Sequence, residues 1–308
     1  MTQPPQKATF LVNFSARGVR ADFNAEGAVG YLRRRGLDAV LAAPASPSEA
    51  AEAARSSAAR GDDILFVVGG DGSLRDAAAG IAGSTTALAA IRGGTANVWA
   101  KEVGIPRGAR EAIDAHLSGR RVRMDLGRAD GVPFLLMASI GFDAAVTRAV
   151  PRGLKARLGS GAYVLQGLRM LPGLRSSSIA WVADGRPDRS PALALVLGNT
   201  RLYGGLVELT PDASADDGLL DLCAIHPAGI ADGFRIAARI VTRRFHHDSG
   251  AWRARAREVC IETPGLSVQL DGDFVGETPM CFTVEPGALI VSVPAGPLPA
   301  IFGDADER

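Results

Sequence analysis

Residues 64–76 read ILFVVGGDGSLRD. The apolar run Ile64 to Val68 meets Gly69 and Gly70, then Asp71, Gly72 and Ser73, and LRDAAAGI follows at helical spacing. This is the pattern of a buried strand turning through glycines into a helix that begins near Ser73. Glycines at such a turn let backbone N–H groups approach a ligand closely, and the helix points its positive end at the turn. The combination suits a phosphate. Asp71 would repel one, unless a divalent cation or a substrate hydroxyl sits between them. The same residues also describe a tight turn with Ser73 as its cap. The patterns GxxxxGK[ST] and G-x-G-x-x-G are both absent from this cluster.

The flanking sequence repeats the arrangement. ATFLVNF (8–14), LDAVLA (37–42), DILFVV (63–68) and TALAAI (86–91) read as short apolar strands. Residues 22–35, SEAAEAARSSAAR (48–60, with Ser48 as N-cap) and the segment after Ser73 read as helices between them. Strands alternating with helices mean a parallel sheet with helices on both faces. A second glycine loop follows the last of these strands: LAAIRGGTANVWAKEVGIP (88–106) places Thr95 and Asn97 at a helix start. Two glycine loops at the C-terminal ends of parallel strands share one crevice in an open α/β sheet. The pair points to a nucleotide site.

Near residue 121 the pattern changes. RVRMDLGRAD and VPFLLMASI read as adjacent strands joined at Asp130-Gly131, and SSIAWVAD, ALALVLGN, LVELTP, LLDLCAIHP, REVCIET, LSVQLDGD and LIVSVP continue as short strands. One helical stretch interrupts them at 229–244. Short strands with turn residues between them suggest an antiparallel sandwich. The division expected is an α/β nucleotide-binding domain over 1–123 and a β-rich domain over 124–308, whose tail packs back on the first. The 308 residues are 47% hydrophobic and carry a net charge of +1, so a sizeable core is available and no global field favours nucleic acid. Cys223, Cys260 and Cys281 are too few for a disulfide framework and suit a reducing cytoplasm. The N-terminus lacks a signal-peptide pattern, and no apolar run is long enough to cross a bilayer.

The series VNFSARG, VVGGDGS, RGGTANVWAKEVGIP, MDLGRADGVPFLLMASIGFDAAV, PDASADDGLLDL and LDGD, in this order, resembles the diacylglycerol kinase catalytic family, in the style of its bacterial lipid kinases. Sphingosine and ceramide kinases are relatives, and NAD kinases share the GGDG signature. The resemblance runs from residue 8 to about 294. It implies the two-domain fold above, an active site between the domains, and ATP-dependent phosphorylation of a lipid hydroxyl in the presence of Mg²⁺. Nucleotide contacts carry over to Asn13, to Gly69, Gly70, Gly72 and Ser73, and to Thr95, with Asn97 in the same loop. Asp71 matches the signature aspartate that works near the phosphates. Phosphoryl transfer depends chiefly on positioning and charge neutralisation. In LDGD, Asp273 takes the place of the family's general base, usually Glu; read without the family, the same residues are a D-G hairpin turn. The bacterial relatives hold a structural Mg²⁺ in the segment of PDASADDGLLDL, which gives Asp216, Asp217 and the Leu219 carbonyl as ligands and leaves Asp221 structural. Asp143 in GFDAAV borders the acceptor or caps a helix.

The chain departs from the family at Ser73 (usually Thr), Val98 (often Asp) and Asp273. The last removes one methylene, which draws the carboxylate back by about 1 Å, and misplacement on that scale can cost on the order of a hundredfold in rate. Residues 144–183 hold Arg148, Arg152, Lys155, Arg157, Arg169 and Arg175 and no acidic residue, around the apolar AYVLQGLRMLPGL. Such a segment either rests on an anionic membrane surface or is a helix with solvated arginines. The enzyme expected is cytoplasmic, working at the inner face of the membrane, with a homodimer as a further partner state. Two rivals stand. An NAD kinase would carry an Asn-Glu dipeptide, and this chain has none. A nucleotide- or lipid-binding module with little catalysis rests on Asp273 alone.

Overall fold

The computed structural model describes residues 6–16, 18–19, 23–149, 166, 170, 177–205, 207–226, 232, 235–236, 238–239 and 251–303. The chain divides into Met1–Leu126 with Pro286–Arg308, and Gly127–Glu285. In the first unit β1 (Lys7–Val12), α1 (Ala25–Arg34), β2 (Asp38–Ala42), α2 (Pro47–Ala59), β3 (Ile64–Gly69), α3 (Asp71–Ile81) and β4 (Ala87–Arg92) alternate, followed by α4 (Val98–Glu102) and α5 (Ala109–Leu117). β1 pairs with β2 and β3, and β3 with β4, all parallel. Every residue of β3 is buried, so both of its faces are covered. α1 packs on β2, α2 on β1 and α3, and α5 on β4.

Two helix starts differ from the sequence expectation. Ser46, not Ser48, caps α2: its Oγ accepts the Glu49 N–H at 3.2 Å. Pro47 is suited to the first helical position, which pushes the cap one residue before it. α3 begins at Asp71 rather than Ser73, with Gly70 in extended conformation as its N-cap. An acidic residue is favourable in the first turn, where N–H groups point outward.

The second unit is antiparallel. It takes up β5 (Arg120–Ala129) at its end, then β6 (Val132–Phe134), β7 (Met137–Gly141), α6 (Phe142–Ala149), β8 (Ser177–Ala183), β9 (Arg186–Ala192), β10 (Ala194–Gly198), β11 (Leu202–Tyr203), β12 (Val207–Glu208), β13 (Leu220–Ile225), β14 (Ala251–Ala256), β15 (Glu258–Ile261), β16 (Ser267–Leu270), β17 (Asp273–Glu277) and the start of β18 (Met280–Val293). One sheet runs β14-β13-β10-β7-β16-β17; opposite it, β18 pairs β15, which pairs β8, which pairs β9. Their core joins Phe134, Ile179, Trp181, Leu195, Leu197, Leu222, Val268 and Phe282. Hairpins β5–β6, β8–β9 and β16–β17 turn at Asp130-Gly131, Asp184-Gly185 and Asp271-Gly272, and all six residues have positive φ. That is the requirement of a type I′ turn, which Asp-Gly meets. Of the expected helix at 229–244, residues 232, 235–236 and 238–239 are described and are helical. Among the described residues no helix is long and apolar enough to cross a membrane.

The cysteine expectation needs correction. Cys260 and Cys281 face each other in register across β15 and β18 and are joined by a disulfide. Their separation of 21 residues conceals a pairing that only the register creates. Cys223 is free and buried, and burial raises its thiol pKa to about 11.

β18 continues into the first unit, where Ile290 and Val291 pair in parallel with Ala87 and Leu88. There Ser292 meets His116 of α5, which is 3% exposed. The His116 Nε2 lies 2.9 Å from the Ala90 carbonyl and Nδ1 lies 3.0 Å from Ser292 Oγ. A carbonyl only accepts, so Nε2 carries the proton and Nδ1 accepts from Ser292. Burial lowers the pKa of this imidazole to about 4. Between that value and about 6.5, its ordinary value, the unfolded chain binds the extra proton, so stability rises with pH across this window. Urea unfolding should therefore lose up to about 3 kcal/mol from this group as pH falls from 7 to 4. His116→Gln should flatten that part of the acid limb; an unchanged slope would mean that the ring is protonated when folded.

Candidate active site

Three loops leave the C-terminal ends of neighbouring parallel strands β1, β3 and β4, and backbone contact knits them together. The Gly93 N–H donates to the Gly69 carbonyl at 2.8 Å, and the Gly18 N–H donates to the Gly93 carbonyl at 2.9 Å. Gly70 and Gly94 approach so closely that a Cβ on Gly94 would strike the Gly70 Cα, and one on Gly70 would lie 3.1 Å from the Gly94 Cα. A Cβ on Gly69 would meet the Ser73 side chain. Gly70 and Gly94 are needed because the two loops touch backbone to backbone, and Gly69 because the Ser73 side chain fills the space beside it.

Side chains fix the rest. The Asn13 N–H extends the β1–β3 ladder to the Val68 carbonyl at 3.0 Å. Its Nδ2 donates to Ser73 Oγ at 2.8 Å and its Oδ1 accepts the Ser15 N–H at 3.0 Å. Asn97 holds a left-handed φ of 47° and closes its own loop, with Oδ1 accepting the Gly94 N–H and Nδ2 donating to the Gly94 carbonyl. Asn97 therefore does not cap α4. Asp71 does so from another helix: Oδ2 accepts the Val98 N–H at 3.0 Å and Oδ1 the Trp99 N–H at 3.1 Å. Burial raises the Asp71 pKa, and these two N–H groups work against that rise. The carboxylate in the glycine cluster thus clamps one glycine loop to the other. Thr95 is exposed on the second loop. Asn13, Gly69, Gly70, Gly72, Ser73, Asp71, Thr95 and Asn97 all fall on this group of loops. Backbone N–H groups at the start of α3 and the exposed Thr95 hydroxyl can bind an anion.

In the second unit Asp273 opens β17 directly after the Asp271-Gly272 turn and pairs with Leu270. Asp271 carries most of the local bonding. Its Oδ2 accepts the Leu135 N–H at 2.8 Å, and Oδ1 accepts those of Leu136 and Met137 at 2.8 and 3.1 Å. The Asp271 N–H returns to the Met137 carbonyl at 3.0 Å. The same 135–136 corner is gripped from its other side by buried Asn199, whose Nδ2 donates to the Leu135 carbonyl and whose N–H donates to that of Leu136, both at 2.8 Å. In the sequence Asp271 reads only as a turn residue, and Asn199 carries no local signal. Beside Asp273, Phe274 is exposed, with the Arg148 guanidinium 5.0 Å above its ring and paired to Glu277. The side chain of Asp143, and Arg152, Lys155, Arg157, Arg169 and Arg175 of the basic segment, lie outside the described residues.

The acidic loop before β13 is bonded internally. Ser214 Oγ donates to Asp216 Oδ1 at 2.8 Å, and the Leu219 N–H donates to Asp217 Oδ1 at 3.0 Å. Arg255 of β14 lies 3.9 Å from Asp217 Oδ2, 3.2 Å from Asp221 Oδ1 and 2.9 Å from the Asp212 carbonyl. Burial raises the Asp217 pKa and lifts that of Asp221 to about 6, with Arg255 opposing both shifts. Two carboxylates and a carbonyl suit a hard cation that keeps several waters, and Asp216 adds to the charge Asp217 must bear. No group of three or more His, Cys, Asp or Glu converges on one point among the described residues.

Comparison with known proteins agrees with both halves. Residues 7–129 match the diacylglycerol kinase catalytic domain, and residues 137–293 match the YegS C-terminal NAD kinase beta sandwich-like domain. The chain is 32% identical to a diacylglycerol kinase of Mycobacterium tuberculosis over 94% of its own length and 95% of the relative's. It is 30% identical to a diacylglycerol kinase of Bacillus subtilis over 80% of this chain and 83% of that one. Two solved structures of Bacillus anthracis proteins described as diacylglycerol kinases share the fold, with TM-scores of 0.80 and 0.72 at 22% and 19% identity. Each covers 96% of this chain, with 97% and 99% of their own lengths aligned. A glycine-knit loop cluster after a parallel sheet, an antiparallel sandwich, and sequence likeness across both establish that the chain belongs to the diacylglycerol kinase catalytic family.

Proposed function

We propose that the protein is an ATP-dependent lipid kinase that transfers the γ-phosphate of MgATP to a lipid hydroxyl, diacylglycerol or a similar acceptor. The observation that carries this reading is the knitting of the Asn13, Gly69–Ser73 and Gly93–Asn97 loops, with backbone N–H groups and the start of α3 at one place. In the reaction the acceptor oxygen bonds to the γ-phosphorus, the bond to the β,γ-bridging oxygen breaks, ADP leaves, and the hydroxyl proton passes to a base. Asp273 takes that proton. Asp71 organises the phosphate end by holding the second glycine loop in place. Asn13, Gly69, Gly70, Gly72, Ser73, Thr95 and Asn97 bind the nucleotide. Mg²⁺ neutralises phosphate charge in phosphoryl transfer. A structural Mg²⁺ would be held by Asp216, Asp217 and the Leu219 carbonyl. On this reading the enzyme works in the cytoplasm, at the inner membrane face where a lipid acceptor would be met.

Two variants test the reading with γ-labelled MgATP, a total bacterial lipid extract and, separately, NAD as acceptors. Asp273→Asn should lower labelled lipid about 10²- to 10⁴-fold, the usual contribution of a general base. Labelling of NAD alone would replace the acceptor class, and ATP binding without transfer to either would leave a binding module. Gly94→Ala should weaken ATP binding by at least about tenfold in a filter assay, because the forced separation from Gly70 widens the cradle by a distance that phosphate hydrogen bonds do not tolerate. Unchanged ATP affinity would remove the nucleotide from these loops.

A further inference from the structure

We infer that Asp271 is a positioning residue for phosphoryl transfer, acting through Asp273; the inference rests on the role proposed above for Asp273. Asp273 stands two residues beyond Asp271, at the first position of β17 after the turn. A hairpin tip of this kind is ordinarily free to flex. This one is fixed in four places. Both Asp271 oxygens accept the consecutive N–H groups of residues 135, 136 and 137, and the Asp271 N–H binds the Met137 carbonyl. On the other side of the turn, the Gly272 N–H donates to Gln269 Oε1 at 2.6 Å. The corner that receives Asp271 is itself held by Asn199, which is 0% exposed. The chain of contacts runs from the buried Asn199, through the 135–137 backbone, to the Asp271 carboxylate and on to the backbone of Asp273. A carboxylate accepting several N–H bonds at good geometry is a strong anchor. A reacting group needs such an anchor, since displacement of about 1 Å can reduce rate about a hundredfold.

The other two Asp-Gly turns set the comparison. Asp184 Oδ1 accepts the N–H groups of Arg257 and Glu258, and Asp130 Oδ1 accepts that of Cys281. Docking a turn aspartate on a neighbouring strand is therefore general in this sandwich. Only Asp271 uses both oxygens, and only its turn leads into the proposed base.

Asp271→Asn tests the inference. Asparagine tolerates the left-handed backbone at this position, so the turn is retained. Its amide NH₂ would face donors, so the three-fold grip is lost. With γ-labelled MgATP and the lipid extract, kcat should fall about 10- to 100-fold while KM for ATP stays unchanged. The double variant with Asp273→Asn should be no slower than Asp273→Asn alone, since a group acting only through Asp273 has nothing left to position. Wild-type turnover in Asp271→Asn, or losses that multiply in the double variant, would overturn the inference while leaving Asp273 as base. If Asp273→Asn keeps full turnover, the base assignment falls first and the inference with it. Should Asp271→Asn fail to fold, Gly272→Ala perturbs the φ of +89° with the carboxylate intact, and the same non-additivity with Asp273→Asn is required.

Discussion

A buried backbone N–H left without an acceptor costs about 1–3 kcal/mol, and every helix start and strand corner creates such groups. This chain meets that constraint with aspartate carboxylates supplied from distant segments. Asp71 caps α4 across 27 residues of sequence, and Asp271 closes the 135–137 corner across more than a hundred. Asp125 accepts the Gly287 N–H at 2.7 Å, where the returning β18 begins its run in the first unit. In each case one carboxylate binds two pieces of chain and fixes their spacing. Asp71 adds a side-chain clamp to the backbone bonds between the glycine loops, and it supplies the cap that the short α4 lacks.

The same principle decides what was readable from the sequence. Local signals were plain. An all-apolar strand entering glycines gives β3 and the turn into α3; Asp130-Gly131 between alternating runs gives the β5–β6 hairpin, and Asp271-Gly272 reads as a hairpin turn. Such features depend on residues within a few positions of one another. The partners of a long-range carboxylate do not. Nothing near Asp71 in sequence announces Val98 and Trp99, so from the sequence its charge reads as belonging to the ligand side of the loop. Asp271 looked complete as a turn residue, because the turn explains its presence without its side chain. Cys260 and Cys281 failed for the same reason: antiparallel register, not spacing, brings them together.

Charge in the acidic loop shows the complementary case, in which a carboxylate has more competition than support. Asp217 and Asp221 are raised by burial, and Arg255 reaches both as well as the Asp212 carbonyl. A guanidinium is well matched to this task, since its fixed fork can address several oxygens at once. It keeps the loop bonded to β14 while one oxygen of Asp217 binds the Leu219 N–H. Asp71 and Asp271 differ in kind, since each is held by peptide dipoles. Dipoles orient a carboxylate without cancelling its charge, which suits residues that fix the spacing between two distant pieces of chain.

The shorter side chain at 273 then becomes a question about backbone. Where a carboxylate ends is set by its side-chain length and by the placement of its Cα. A loose hairpin could recover a lost methylene by moving forward, but this turn is held at Leu135, Leu136, Met137 and Gln269. The remaining adjustment lies in the strand itself. The β16–β17 register shifts between Val268 and Gln269, so that Val268 pairs Gly276 while Gln269 pairs Phe274. A bulge of this kind bends its strand and re-aims the side chains beside it. With the tip fixed by Asp271 and the body of β17 turned at Val275, the direction of Asp273 is determined on both sides.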